Sequence, residues 1–99
     1  MKKIILGLTV SLALSSGVAI AGDAAAGKDK SAMCAACHGA AGVSPMDAYP
    51  NLAGQKAAYL AKQLHAFRDG TRENMMMGPV AKGLSDEDIE NLAAYYSSL

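Results

Sequence analysis

The run Cys34-Ala35-Ala36-Cys37-His38 constrains this chain more than any other feature, because its spacing selects both a ligand and a local conformation. On a helical turn, residues three and four apart share a face. Cys34, Cys37 and His38 can therefore address one flat ligand from the same side. C-x-x-C-H is the attachment signature of c-type haem. Two thiols add to the two vinyl groups along one porphyrin edge, and the imidazole is carried beneath the ring to reach the iron. Competing uses fit less well. A thioredoxin-like C-x-x-C sits near a βαβ pattern, and no stretch here reads as a convincing strand. Structural zinc needs four ligands, and after the two cysteines only His38 and His65 remain. A disulfide between Cys34 and Cys37 would close a loop too small to stabilise much.

Residues 1–21 read as an export signal rather than as part of the fold. Lys2 and Lys3 form a short positive region, Ile4 to Ala21 carries no charge, and Ala19-Ile20-Ala21 offers small residues for cleavage. An uncleaved anchor is the alternative, since eighteen uncharged residues approach a membrane-spanning length; Gly7, Gly17, Ser11, Ser15 and Ser16 weaken it. Cleavage leaves residues 22–99 as one domain. Removing two lysines leaves seven basic groups against nine acidic ones, a net charge of −2. That balance gives no reason to expect nucleic acid, which calls for a concentrated basic surface. So small a domain is marginal on its own apolar core, and a covalently held cofactor would complete its interior. An exported cysteine pair would also oxidise unless consumed by thioether formation.

The mature segment reads as all-α, with three main helices separated by two Gly/Pro-rich loops. The first helix starts at Asp23, a good N-cap, and runs to His38, with Gly27 costing about 1 kcal/mol inside it relative to Ala. A loop follows over 39–54, marked by Gly39, Gly42, Pro45, Pro50 and Gly54. The second helix spans Gln55 to Asp69, with an apolar stripe at Leu60, Leu64 and Phe67 and Gly70 as its C-cap. The second loop, 71–84, carries Met75-Met76-Met77-Gly78-Pro79. The last helix opens with Ser85, and Asp88 completes an acidic variant of the capping box. Ile89, Leu92, Ala93 and Tyr96 form its buried stripe, with Tyr95 beside it.

With His38 on one side of the iron, the other side is open to His65, to a methionine or to no protein ligand. The methionine loop is the natural source. A thioether is soft and neutral, favours ferrous over ferric iron and raises the potential. Methionines also fill core gaps, and only one of Met75, Met76 and Met77 can coordinate. Met33 reads as packing and Met46 as loop surface or pocket lining. His65 lies off the apolar stripe and reads as a solvated helix residue.

The chain resembles the class I c-type cytochromes of bacteria, especially small monohaem proteins and single halves of dihaem ones. The resemblance covers essentially all of 22–99. It rests on Gly22-Asp23-Ala24-Ala25-Ala26-Gly27, the C-A-A-C-H-G run, Tyr49-Pro50-Asn51-Leu52-Ala53-Gly54-Gln55, Leu84-Ser85-Asp86-Glu87-Asp88-Ile89 and Leu92-Ala93-Ala94-Tyr95-Tyr96. It implies a cytochrome c fold wrapped around one covalently bound haem c. The family's axial methionine lies seven residues before the leucine of L-S-D, which selects Met77, with Met76 next in line. Where another methionine often follows three residues on, this chain has Val80. The resemblance also implies that a proline carbonyl, Pro45 with Pro50 as competitor, accepts the Nδ1–H of His38. A bond of that kind fixes the ring and raises its basicity. By the same token Tyr59 lines the haem crevice, and Gly27 meets an aromatic of the last helix, Tyr95.

The expected function is a periplasmic electron carrier cycling iron between Fe(III) and Fe(II) with His38 and Met77 as axial ligands. Its implied partners are a membrane quinol-oxidising complex as donor and a terminal oxidase or another reductase as acceptor. Lysines 28, 30, 56, 62 and 82 are candidates for a docking rim. A haem enzyme or gas sensor with a labile distal site is the second reading, without a distal His/Arg pair to support it. A small cytochrome subunit of a respiratory complex is the third.

Overall fold

The computed structural model describes residues 22–99 and the isolated Gly7; the expected export signal lies outside the described residues. Five helices follow one another: α1 Ala24–Lys30, α2 Ala32–His38, α3 Ala57–Asp69, α4 Met77–Lys82 and α5 Asp86–Ser97. No strand occurs among the described residues, and none of their helices is long and apolar enough to cross a membrane. The all-α expectation is met.

The single helix expected over 23–38 is divided. Asp23 caps α1 by accepting from the backbone N–H of Ala25 at 2.9 Å. At Ser31 the hydroxyl donates to the Lys28 carbonyl at 2.6 Å, and the next turn tightens as Cys34 N–H bonds the Ser31 carbonyl at 2.8 Å. A short side chain competing for a backbone carbonyl interrupts the helix there. The consequence is that α2, which carries the C-x-x-C-H run, is separated from the helix before it.

Two longer helices fit the expectations closely. α3 ends at Gly70, left-handed at φ 82°, and α5 has the full capping box, with Ser85 Oγ accepting from Asp88 N–H at 3.0 Å and Asp88 accepting from Ser85 N–H at 3.0 Å. Leu60, Ala61, Leu84, Ile89, Leu92, Ala93 and Tyr96 form the buried core between α3 and α5. The stripe read from sequence is thus the one that is buried, apart from Leu64, which is half-buried against the core.

The loop expected over 71–84 contains α4. The Gly78-Pro79 pair suggested a break, but Pro79 falls in the first helical turn, where its missing N–H is not needed. Asn74 starts that turn: its Oδ1 accepts from the N–H groups of Met76 and Met77, each at 2.9 Å. The buried Ala81 seats α4 on the core.

Across α1 and α5 the backbones approach closely. A Cβ on Gly27 would overlap the Asn91 carbonyl and lie 2.8 Å from Tyr95 Cβ. Tyr95 is where the resemblance put it, although the Asn91 backbone is the tighter neighbour. The side chain of Asn91 also accepts from Asp23 N–H at 2.8 Å, tying the start of α1 to α5. At the other end of α5, Tyr96 anchors the loop after α2. Its carbonyl accepts from Gly54 N–H at 2.9 Å, and its ring leaves no room for a Cβ on Gly42, which has φ 73°.

Candidate haem site

The motif helix, the pinned loop and the methionine segment enclose one cavity of about 460 Å³, within the usual size of cofactor sites. Cys34, Cys37 and His38 contribute from α2, Met76 and Met77 from the start of α4, and Tyr59, Leu60, Leu64 and Phe67 from α3. Leu52, Val80, Leu92, Ala93 and Tyr96 make much of the remaining wall apolar.

His38 is only 6% exposed. Its Nδ1 lies 2.7 Å from the carbonyl oxygen of Pro50. The acceptor is Pro50, and this corrects the expectation of Pro45. The reason lies in the loop. Gly42 accepts from Leu52 N–H at 2.7 Å and from Ala53 N–H at 3.0 Å. Asn51 Oδ1 accepts from Ser44 N–H at 2.6 Å. Those bonds fold the 50–53 segment back under His38, whereas Pro45 is exposed and does not line the cavity. With Nδ1–H donating to a backbone carbonyl, the imidazole keeps its lone pair on Nε2, the atom a metal would need. Tyr49 packs its ring edge-on to His38, with centroids 6.4 Å apart.

The three consecutive methionines separate by position. Met75 is 95% exposed and outside the cavity, Met76 is 58% exposed at its edge, and Met77 is half-buried in its wall. Met33 also lines the cavity, and Met46 is exposed away from it. His65 faces elsewhere: its Nδ1 is 3.0 Å from Arg68 Nη2 and 4.0 Å from Asp86.

Both cysteines are free and half-buried. Burial pushes the Cys34 thiol up, partly offset by a hydrogen bond with the Tyr96 hydroxyl. Burial first, and then the neighbouring Cys34, push the Tyr96 phenol strongly up. Both groups are therefore neutral at physiological pH. This donor set suits haem c, since paired thiols, one oriented imidazole and thioether sulfurs converge on a space with mostly apolar walls.

Several lining residues went unrecognised from sequence, among them Gln55, Gln63, Arg72, Asn74 and Tyr96 as a cavity residue. Tyr96 carried a partial signal, its place in an apolar stripe. Arg72 had none, since an arginine after a helix cap reads as surface.

Residues 24–99 match the family model described as cytochrome c, and the chain belongs to this family. It is a small electron carrier with covalently attached haem c rather than an enzyme. It is 56% identical over 81 residues to cytochrome c-554(548) of Halomonas halodenitrificans, a match covering 79% of this chain and 98% of that one. It is 46% identical over 98 residues to cytochrome c4 of Pseudomonas aeruginosa, covering 99% of this chain and 49% of the relative. The crystal structure of reduced recombinant cytochrome c4 from Pseudomonas stutzeri superposes with a TM-score of 0.75 at 45% identity, over 79% of this chain and 46% of that one. The chain thus spans about half the length of the cytochromes c4 it matches.

Proposed function

We propose that the chain is a periplasmic electron carrier in which Cys34 and Cys37 hold haem c through thioethers and His38 and Met77 bind its iron. The observation that carries this reading is the shared cavity. His38, fixed through Pro50, and Met77, half-buried, line the same space as both thiols. Met75 lies outside that space at 95% exposed, and Met76 is the less buried of the remaining pair, which supports Met77.

Haem c supplies a one-electron Fe(III)/Fe(II) couple. The chain's part is to keep that couple from changing shape or ligands. The His38–Pro50 hydrogen bond holds the imidazole in one tautomer and orientation. The Met77 thioether is neutral and soft, and the apolar walls disfavour added positive charge; both raise the potential. Tyr59, 48% exposed on α3, borders the cavity where it meets solvent. Residues 1–21 would direct export and be removed, delivering the protein to a compartment where thioether formation consumes the cysteines. A quinol-oxidising complex as donor and a terminal oxidase or reductase as acceptor fit such a carrier. Contacts with them would be brief and small, under about 1,200 Å².

The test is to mature the full chain in a host with haem-attachment machinery and compare Met77→Ala with Met76→Ala. The wild type should carry the mass of one added haem and show the sulfur-to-ferric-iron charge-transfer band. Met77→Ala should lose that band and Met76→Ala keep it. The opposite pattern would transfer the ligand role to Met76, and colourless protein would end the reading altogether.

A further inference from the structure

The turn that brings Met77 to the cavity hangs on Asn74. The side-chain Oδ1 of Asn74 accepts from the N–H groups of Met76 and Met77, each at 2.9 Å, and its carbonyl accepts from Gly78 N–H at 2.9 Å. Three successive N–H groups thus end on one residue. Pro79 has no N–H to add, so the next backbone donor is that of Val80. Asn74 itself lines the cavity wall.

Packing does little for the same turn. Met75 is 95% exposed and Met76 58%, a Cβ on Gly78 would meet nothing within 4 Å, and Pro79 is exposed. The buried residue of α4 is Ala81, one turn further on. A helix of six residues is too short to be stable alone in water. Its start is therefore held by the Asn74 cap and by the grip of the half-buried Met77 side chain. The two are joined through the Met77 backbone. Opening the cap frees the Met77 N–H and lets the thioether swing away, and releasing the thioether takes the turn's apolar anchor with it.

We infer that Asn74 is a positioning residue for the iron's thioether ligand, and that loss of its cap and release of Met77 are one event. The inference rests on Met77 as the axial ligand. Asn74 acts through the Met77 backbone and not on the iron itself. The strength of the cap then sets the fraction of molecules whose iron is open to an outside ligand. A sixth position that opens rarely keeps the coordination the same in both oxidation states, so the cap helps to keep electron transfer free of ligand exchange.

The experiment titrates the ferric, haem-loaded protein with imidazole near neutral pH and follows the sulfur-to-iron charge-transfer band. Imidazole reaches the iron after the thioether has left, so its apparent Kd is inversely proportional to the open fraction. Asn74→Ala should bind imidazole roughly two- to thirty-fold tighter than wild type, the range over which a lost cap shifts an equilibrium. Asn74→Ser, which returns a neutral acceptor, should bring the affinity back toward wild type. Ser85→Ala removes the comparable cap from α5 and should leave the affinity unchanged. Equal affinity in Asn74→Ala and wild type, or equal tightening in Ser85→Ala, would overturn the inference. Met77→Ala separates that failure from failure of the ligand assignment. It should lack the band before imidazole is added, and a band retained there would remove the assignment and the inference with it. Hydrogen exchange on the wild type gives a second test that needs no variant. With imidazole bound, the amides of Met76, Met77 and Gly78 should lose protection while that of Asp88 keeps its own. A turn that stays protected would show Met77 leaving without the cap opening, which overturns the coupling.

Discussion

Replacing Gly27 by alanine sets two known effects against each other at the α1–α5 crossing. Alanine in a helix interior is worth about 1 kcal/mol over glycine. The added Cβ, however, would overlap the Asn91 carbonyl and come within 2.8 Å of Tyr95 Cβ. Overpacking costs typically 1–3 kcal/mol, occasionally more. Here the obstacle is mainly backbone, which no rotamer change can relieve, so the upper end applies and α1 must lift from α5. The net loss is then about 2 kcal/mol, and in a domain this small each 1 kcal/mol moves Tm by roughly 4–8 °C. Thermal unfolding of the haem-loaded protein, followed by circular dichroism at 222 nm, should therefore show Tm falling by roughly 8–16 °C. Gly78→Ala is the internal control. Nothing lies within 4 Å of a Cβ there, so the same exchange, worth up to about 1 kcal/mol, should leave Tm unchanged or raise it by up to roughly 4–8 °C. A Gly27→Ala protein as stable as wild type would refute the close-approach argument.

Two further perturbations probe the opening of α5. Ser85→Ala removes the acceptor of the Asp88 N–H and should cost about 1 kcal/mol in denaturant unfolding; an unchanged midpoint would show that water replaces the cap at no cost. Asp86 is held below its ordinary value of 3.8, first by its hydrogen bond with Arg68 and then by that residue's charge. A depressed carboxyl contributes stability above its unfolded pKa and loses it as pH falls through the folded one. Asp86→Asn should therefore be less stable than wild type at pH 6, with the gap closing below pH 3.8. A gap that persists into acid would mean that the 2.6 Å Arg68–Asp86 pair is not its source.

The helix caps illustrate why so much was legible in the sequence. Asp23 and the Ser85/Asp88 pair bond groups within three residues of themselves, and Gly70 supplies only its own left-handed φ, so their chemistry is contained in a short window. The buried stripe of α5 is legible for the same reason, since helical periodicity alone selects Ile89, Leu92, Ala93 and Tyr96. Misreadings arose where a local signal had two outcomes. Gly78-Pro79 is compatible with a loop or with a first helical turn, and Asn74 decides between them. Ser31 can continue a helix or take the carbonyl of Lys28, and here it does the latter.

The linear sequence alone determined an all-α chain with C-x-x-C-H on a helix, because thiol spacing and helix periodicity are properties of consecutive residues. Choosing Pro50 over Pro45 needed the folded loop, since both prolines carry the same carbonyl and only the Gly42, Asn51 and Tyr96 hydrogen bonds bring one of them under His38. Placing Arg72 beside Gln63 and Phe67 at the cavity wall likewise depended on the chain turning back over α3. Contacts between residues distant along the chain are fixed by how elements pack, and no window of sequence contains that information.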